Sequence, residues 1–282
     1  MTAVLRKAFD YFLFTSLFIA CCAMVMVHQA HELLYLRFDL PAYLAFVFFS
    51  TICSYNFHWY LTPVAPSENY RVRWTLQHKT LHLLLTGIGG LGSMWYFFYF
   101  IQHWHWLAGS AVLTFLYSAP KLSTGPFAML KKVAVGKTLF LAFVWTYVTT
   151  VLPIAFDGDR WNTSALLYTL SRFFLIYAIC IIFDYRDREY DRKEGIRSMI
   201  TYLNEKGINA LFYCTIFLFI LSTIALRSYN MNLVVIICLL SPLVILLPLY
   251  PVAKKNFSDY LYYFVLDGLM MFSAILTAFL PF

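Results

Sequence analysis

Asp184–Ser198 reads DYRDREYDRKEGIRS and follows directly on an apolar run that ends in Ile181, Ile182 and Phe183. A charged run closing a long apolar block marks the point where a chain leaves a hydrophobic environment. At about 100° per residue, Asp184, Asp187 and Asp191 fall on one face of a helix. Three carboxylates so placed repel one another unless a cation sits among them. Oxygen-only clusters of this kind suit Mg²⁺, with a phosphate completing the shell. The plain alternative is a solvated charged helix end beside a membrane.

The rest of the chain makes that membrane an expectation. Hydrophobic residues form 61% of the 282 residues and charged ones 12%, far from the balance of soluble domains. The apolar residues come in long blocks near 9–27, 40–62, 80–100, 104–120, 138–156, 162–183, 208–226, 231–250 and 259–281. This spacing predicts an all-α polytopic membrane helix bundle of about nine transmembrane helices, with 1–282 as a single transmembrane domain. Barrel strands are excluded because the runs are too long and continuous. Residues 6–27 combine a basic start with an apolar core, yet no small-residue cleavage site follows, so they read as an uncleaved first helix. The six cysteines lie in apolar spans without a CxxC pair and read as small buried hydrophobes. Gly87, Gly89, Gly90 and Gly92 on the third span are expected to permit close helix contact.

Charge orients the bundle. Of the 21 Lys and Arg, only Arg37, Arg160 and Arg227 fall in one set of connections and Arg172 lies within a span. The other 17 fall in the alternate set. This asymmetry predicts an integral protein of the inner (cytoplasmic) membrane, N-terminus cytoplasmic and C-terminus outside. The net charge of +7 is then a topological signal and no pointer to nucleic acid. Arg172 and Asp267 lie at membrane depth, where charges are costly. They are expected to pair with each other.

The charged stretch resembles the second aspartate-rich motif of the UbiA superfamily of intramembrane prenyltransferases, roughly DxRDxExDxxxGxR[ST]. Asp184, Arg186, Asp187, Glu189, Asp191, Gly195, Arg197 and Ser198 match it. The segment Leu116-Tyr117-Ser118-Ala119-Pro120-Lys121, followed by Lys131, Lys132 and Lys137, resembles the family's LYSxP helix end and basic loop. The resemblance implies Mg²⁺-dependent transfer of an isoprenyl group from an isoprenyl diphosphate to a lipophilic acceptor, such as an aromatic ring, within the bilayer. It implies Asp184, Asp187 and Asp191 as metal ligands. Arg186, Lys121, Lys131 and Lys132 become candidates for diphosphate contact, and Tyr117 for substrate contact.

One departure from the family counts against activity. Its first motif, approximately NDxxDxxxD, should sit at the end of the second span. Aligning on Asn56 puts Phe57, Tyr60 and Val64 where the aspartates belong, and no aspartate occurs between Asp39 and Asp157. Asn56, His58 and Tyr60 remain there as candidate substrate-binding groups, against the plain reading of interhelical hydrogen bonds. His78 and His82 are spaced as a metal pair but lack an evident third ligand. A non-catalytic relative that binds an isoprenoid or a partner protein is therefore the second reading. A transporter is a third, though neither inverted repeats nor a broken-helix pair is evident.

Overall fold

The computed structural model describes residues 3–62, 69–118, 137–158, 161–193 and 198–280. Among the described residues there are helices and no strands. In chain order they are α1 (Ala3–Phe14), α2 (Leu17–Leu33), α3 (Leu40–Tyr60), α4 (Tyr70–Gln77), α5 (Lys79–Tyr99), α6 (Trp104–Ser118) and α7 (Lys137–Thr146). Then come α8 (Leu152–Phe156), α9 (Thr163–Lys193), α10 (Met199–Tyr202), α11 (Glu205–Ala225), α12 (Leu233–Leu240), α13 (Pro242–Ala253) and α14 (Asp267–Thr277). π-Helical turns at Tyr147–Val151 and Leu261–Leu266 join α7 to α8 and lead into α14. Side chains that prefer caps begin several helices. Asp39 accepts from Ala42 N (3.1 Å) at α3, and Asn204 from Gly207 N (2.8 Å) at α11.

Six helices are long and apolar enough to cross a membrane, or seven if α1 and α2, bent by 57°, count as one span. The other two expected spans are shorter, 15 residues in α6 and 17 in Leu261–Thr277. The bend falls at Ser16, whose φ of 68° is left-handed and ends the α1 ladder. α9 has 31 residues, about 46 Å of helix against the roughly 30 Å hydrocarbon thickness. Its last turns, which carry the charged stretch, therefore project past the apolar layer.

The connections sort to two ends. At one end, Tyr70 and Tyr260 both donate to Asp10 (2.7 and 2.5 Å), Arg71 N–H donates to Asp259 (2.8 Å) and Lys254 donates to Glu205 (2.7 Å). At the other, Arg37 N–H donates to Asp157 (2.8 Å) and Tyr99 donates to Asp39 (2.6 Å). This grouping agrees with the sides assigned from charge. α3 lies tightly on α5, where a Cβ on Gly89 would come 2.6 Å from Cys53 N and one on Gly92 would enter the Phe49 ring. Gly87 has open space instead, and Gly90 only an ordinary contact. All six cysteines are unpaired, but only Cys22 and Cys180 are buried, Cys21, Cys53 and Cys238 being half-buried and Cys214 exposed.

Arg172 does not pair with Asp267. Its guanidinium donates to Ser273 (2.9 Å) and Ser171 (3.2 Å), and lies between the rings of Tyr168 and Phe219. Ser273 lies six residues beyond Asp267 on the same helix, roughly 9 Å along it at 1.5 Å per residue, so the two charges sit at different depths.

Candidate functional site

The charged end of α9 packs beside α4, the end of α3 and the segment entering α14. Asp184 and Asp191 are buried, while Asp187 between them is partly exposed. Asp184 accepts a hydrogen bond from the Thr138 hydroxyl at the start of α7. Asp187 accepts from Arg186 Nε at 3.1 Å. Among the described residues, no group of three His, Cys, Asp or Glu side chains is placed to hold a metal ion. The donor set is nonetheless the hard, oxygen-only kind that Mg²⁺ takes with one or two carboxylates and phosphate oxygens.

Arg186 is the centre of the site. Its Nη2 donates to Tyr263 Oη (3.0 Å) and its Nη1 stands 3.9 Å from Asp259 Oδ1. The guanidinium lies 4.4 Å from the Tyr262 ring centroid. Arg188 and Arg192 do different work: Arg188 ties Glu205 and the Leu203 carbonyl, and Arg192 holds the Thr201 carbonyl. They fold the 198–205 segment back onto α9. Ser198, the last residue of the stretch, caps α10.

Arg71, on the short helix α4, approaches from the other side and is 2% exposed. Its guanidinium lies 4.2 Å from the Trp59 ring centroid, 4.7 Å from Phe14 and 5.8 Å from Tyr263. Among the described residues its Nε and Nη1 find no hydrogen-bond partner, nor does Nη1 of Arg186 or Oδ1 of Asp259. Buried orphans of this kind call for a ligand, water or ion. Burial lowers the Arg71 pKa to about 9, against Tyr263 and Asp259, which raise it, so the group is cationic at neutral pH. Burial also raises the Asp259 carboxyl above the usual range, opposed by the Arg71 backbone N–H and the Arg186 and Arg71 charges. A shallow pocket of about 280 Å³, lined by Arg6, Tyr70, Phe257, Ser258, Asp259 and Tyr260, opens at this end.

The candidates on α3 take separate places. Asn56 is fully buried, donating to the carbonyls of Thr15 (2.9 Å) and Ile52 (2.8 Å) and bonded through Oδ1 to His82 Nδ1 at 2.7 Å. It therefore binds the core. His58 stacks on Tyr117 (5.1 Å) and meets Ser118 at 3.4 Å, which brings two of the expected residues together. Tyr60 turns toward Lys79, whose Nζ lies 5.9 Å from its ring. His78 and His82 form no metal pair: His78 is the break between α4 and α5 and bonds Tyr11 and the Trp74 carbonyl. Lys121, Lys131 and Lys132 lie outside the described residues, as do Val64, Gly195 and Arg197.

Trp59, Arg71, Asp259 and Tyr263 were not among the sequence candidates. Arg71 alone left a signal, as a basic residue in a connection already assigned to the side of the charged stretch. A profile of the UbiA prenyltransferase family matches residues 71–259. No curated protein and no solved structure gives a match.

Proposed function

The chain belongs to the UbiA prenyltransferase family, and we propose that it transfers an isoprenyl group from an isoprenyl diphosphate to a lipophilic acceptor within the bundle. One observation carries this reading: two largely buried guanidiniums, Arg71 and Arg186, keep N–H donors that find no partner among the described residues, at the charged end of an aromatic-rich interior. A diphosphate offers several oxygens to such donors, and charge-assisted bonds to it are strong. Mg²⁺, when bound, draws charge from the departing diphosphate. Asp184, Asp187 and Asp191 would supply one or two carboxylates at a time to it, with phosphate oxygens completing the shell.

Arg71 and Arg186 orient the leaving group from opposite walls, with Lys121, Lys131 and Lys132 as further cations. Trp59, Tyr262 and Tyr263 present ring faces near the bond that breaks, where they favour an allylic cation and keep water away. His58 and Tyr117 contact substrate at the ends of α3 and α6. The positive-inside rule puts this end in the cytoplasm.

A second reading has its own support. Phe57 and Tyr60 stand where the family carries aspartates, and Asn56 is tied into the core, which favours a relative that binds isoprenoid without turnover. Purified protein offered a panel of isoprenyl diphosphates with Mg²⁺ separates the two. Binding with diphosphate release supports the transferase, and binding alone supports the second reading. Neither result would leave both without support.

A further inference from the structure

The end of the bundle away from the charged stretch carries a cavity of about 420 Å³, within the size range of small-ligand pockets. Arg37, Asp39 and the rings of Phe38, Tyr99, Phe100 and Phe156 line it. It lies where α3 begins and α5 ends. Those helices have 21 residues each, about 31 Å of helix against the roughly 30 Å hydrocarbon thickness. The cavity therefore sits at the depth of the lipid headgroups. The neighbouring sequence exposes Tyr35, Trp104 and Trp161, ring types that gather at the membrane–water interface.

Two opposite charges line this cavity without pairing with each other. Asp39 is held in place: Oδ1 accepts from Ala42 N (3.1 Å) and Oδ2 from the Tyr99 hydroxyl (2.6 Å). The bond from Tyr99 also holds the carboxyl below the usual carboxylate range, so it is ionised at neutral pH. A carboxylate accepts about four bonds, so each oxygen keeps room for another donor. Arg37 is anchored by its backbone N–H, which donates to Asp157 (2.8 Å). Its guanidinium makes no hydrogen bond or ion pair among the described residues and keeps its fork of donors. A ligand that satisfies both groups carries a cation and an anion a short span apart. We infer that the cavity binds the headgroup of a zwitterionic phospholipid of the ethanolamine class, from the leaflet at this end of the bundle. The ammonium donates to Asp39 and meets the aromatic faces, and the phosphate accepts from Arg37. Phosphatidylglycerol would satisfy Arg37 but bring a second negative charge to Asp39. A choline headgroup brings the positive charge but no N–H for the Asp39 oxygens. The inference stands apart from the transferase reading, whose residues lie at the opposite end.

The test is lipid competition on the full chain, delipidated in detergent and read by native mass spectrometry with dioleoyl phosphatidylethanolamine, phosphatidylglycerol and phosphatidylcholine at equal concentration. The wild type should retain phosphatidylethanolamine over each of the others by about threefold or more, the scale of an ion pair near a wet surface. Asp39→Asn keeps a residue suited to capping α3 but removes the charge, and should bring the three lipids close to parity. Arg37→Gln changes an exposed side chain outside the helices. It should weaken phosphatidylethanolamine and phosphatidylglycerol together by about threefold, a pattern that general loosening would not give. Equimolar soluble glycerophosphoethanolamine should leave the lipid bound, because it lacks the chains that hold the lipid in the layer. Equal retention of the three lipids by the wild type would overturn the assignment. So would a preference unchanged in Asp39→Asn, retention unchanged in Arg37→Gln, or displacement by the soluble headgroup compound.

Discussion

The guanidinium of Arg71 lies 4.2 Å from the centroid of the Trp59 ring, so a cation from α4 rests on the helix end where the family carries its first aspartate motif. Phe57 and Tyr60 leave that wall without carboxylates to hold a metal. On the proposed reading, a fixed positive charge there would neutralise a diphosphate directly, and Mg²⁺ would be held from the α9 wall alone. The aromatic ring fixes the guanidinium plane, and a stacked arginine is not replaced by lysine without loss.

Arg71→Lys should therefore weaken isoprenyl diphosphate binding by about tenfold to a hundredfold, because a point charge replaces a planar set of donors. Trp59 fluorescence reports the change at the site. Unchanged affinity would remove Arg71 from the proposed leaving-group site.

Asp259→Asn should strengthen diphosphate binding at neutral pH by about threefold or more, since it removes a negative charge between two arginines. Asn still accepts from the Arg71 N–H. Burial raises the folded-state pKa of Asp259, so its protonated form is favoured in the folded protein. Its contribution to stability is then present at low pH and lost as pH rises through that folded pKa. Diphosphate affinity should follow the same direction, rising as pH falls into the acidic range, and Asp259→Asn should flatten that dependence. A parallel pH profile in both proteins would contradict this role.

Asn56→Ala should lower thermal stability and leave diphosphate affinity within about twofold. It strips partners from His82 and from the Thr15 and Ile52 carbonyls, and each buried group left unsatisfied costs about 1–3 kcal/mol. A large loss of diphosphate affinity with unchanged Tm would instead assign Asn56 to substrate.

Gly89→Ala should destabilise the α3–α5 contact by about 1–3 kcal/mol, because its Cβ would meet the Cys53 and Phe49 backbone at 2.6 and 2.8 Å. Gly87→Ala meets nothing within 4 Å and should be neutral or slightly stabilising. Melting in detergent compares them.

The helical bundle was legible because apolar blocks and charge asymmetry act over whole segments. The charged stretch was legible because its spacing is local to one helix. Contacts between distant positions leave no such trace. Arg71 and Asp259 are 188 positions apart, and nothing periodic in either neighbourhood announces the other. Depth counted from the ends of apolar blocks was also off, by roughly 9 Å at 1.5 Å per residue. Arg172 therefore met Ser273 rather than Asp267, and the bend at Ser16 arose from a backbone conformation that a non-glycine sequence does not advertise. The His78–His82 spacing is helical, as the bond from His82 N to the His78 carbonyl shows, but the rings bond Asn56 on one side and Tyr11 and the Trp74 carbonyl on the other.

Turnover by the wild-type protein tests the central claim most directly. Geranylgeranyl diphosphate, Mg²⁺ and a hydroxylated naphthalene acceptor are incubated with the purified protein, and inorganic diphosphate and prenylated product are measured together. The account predicts Mg²⁺-dependent release matched by product and abolished by Asp187→Ala. Intact geranylgeranyl diphosphate, with no product at any chain length of donor tried, would contradict it.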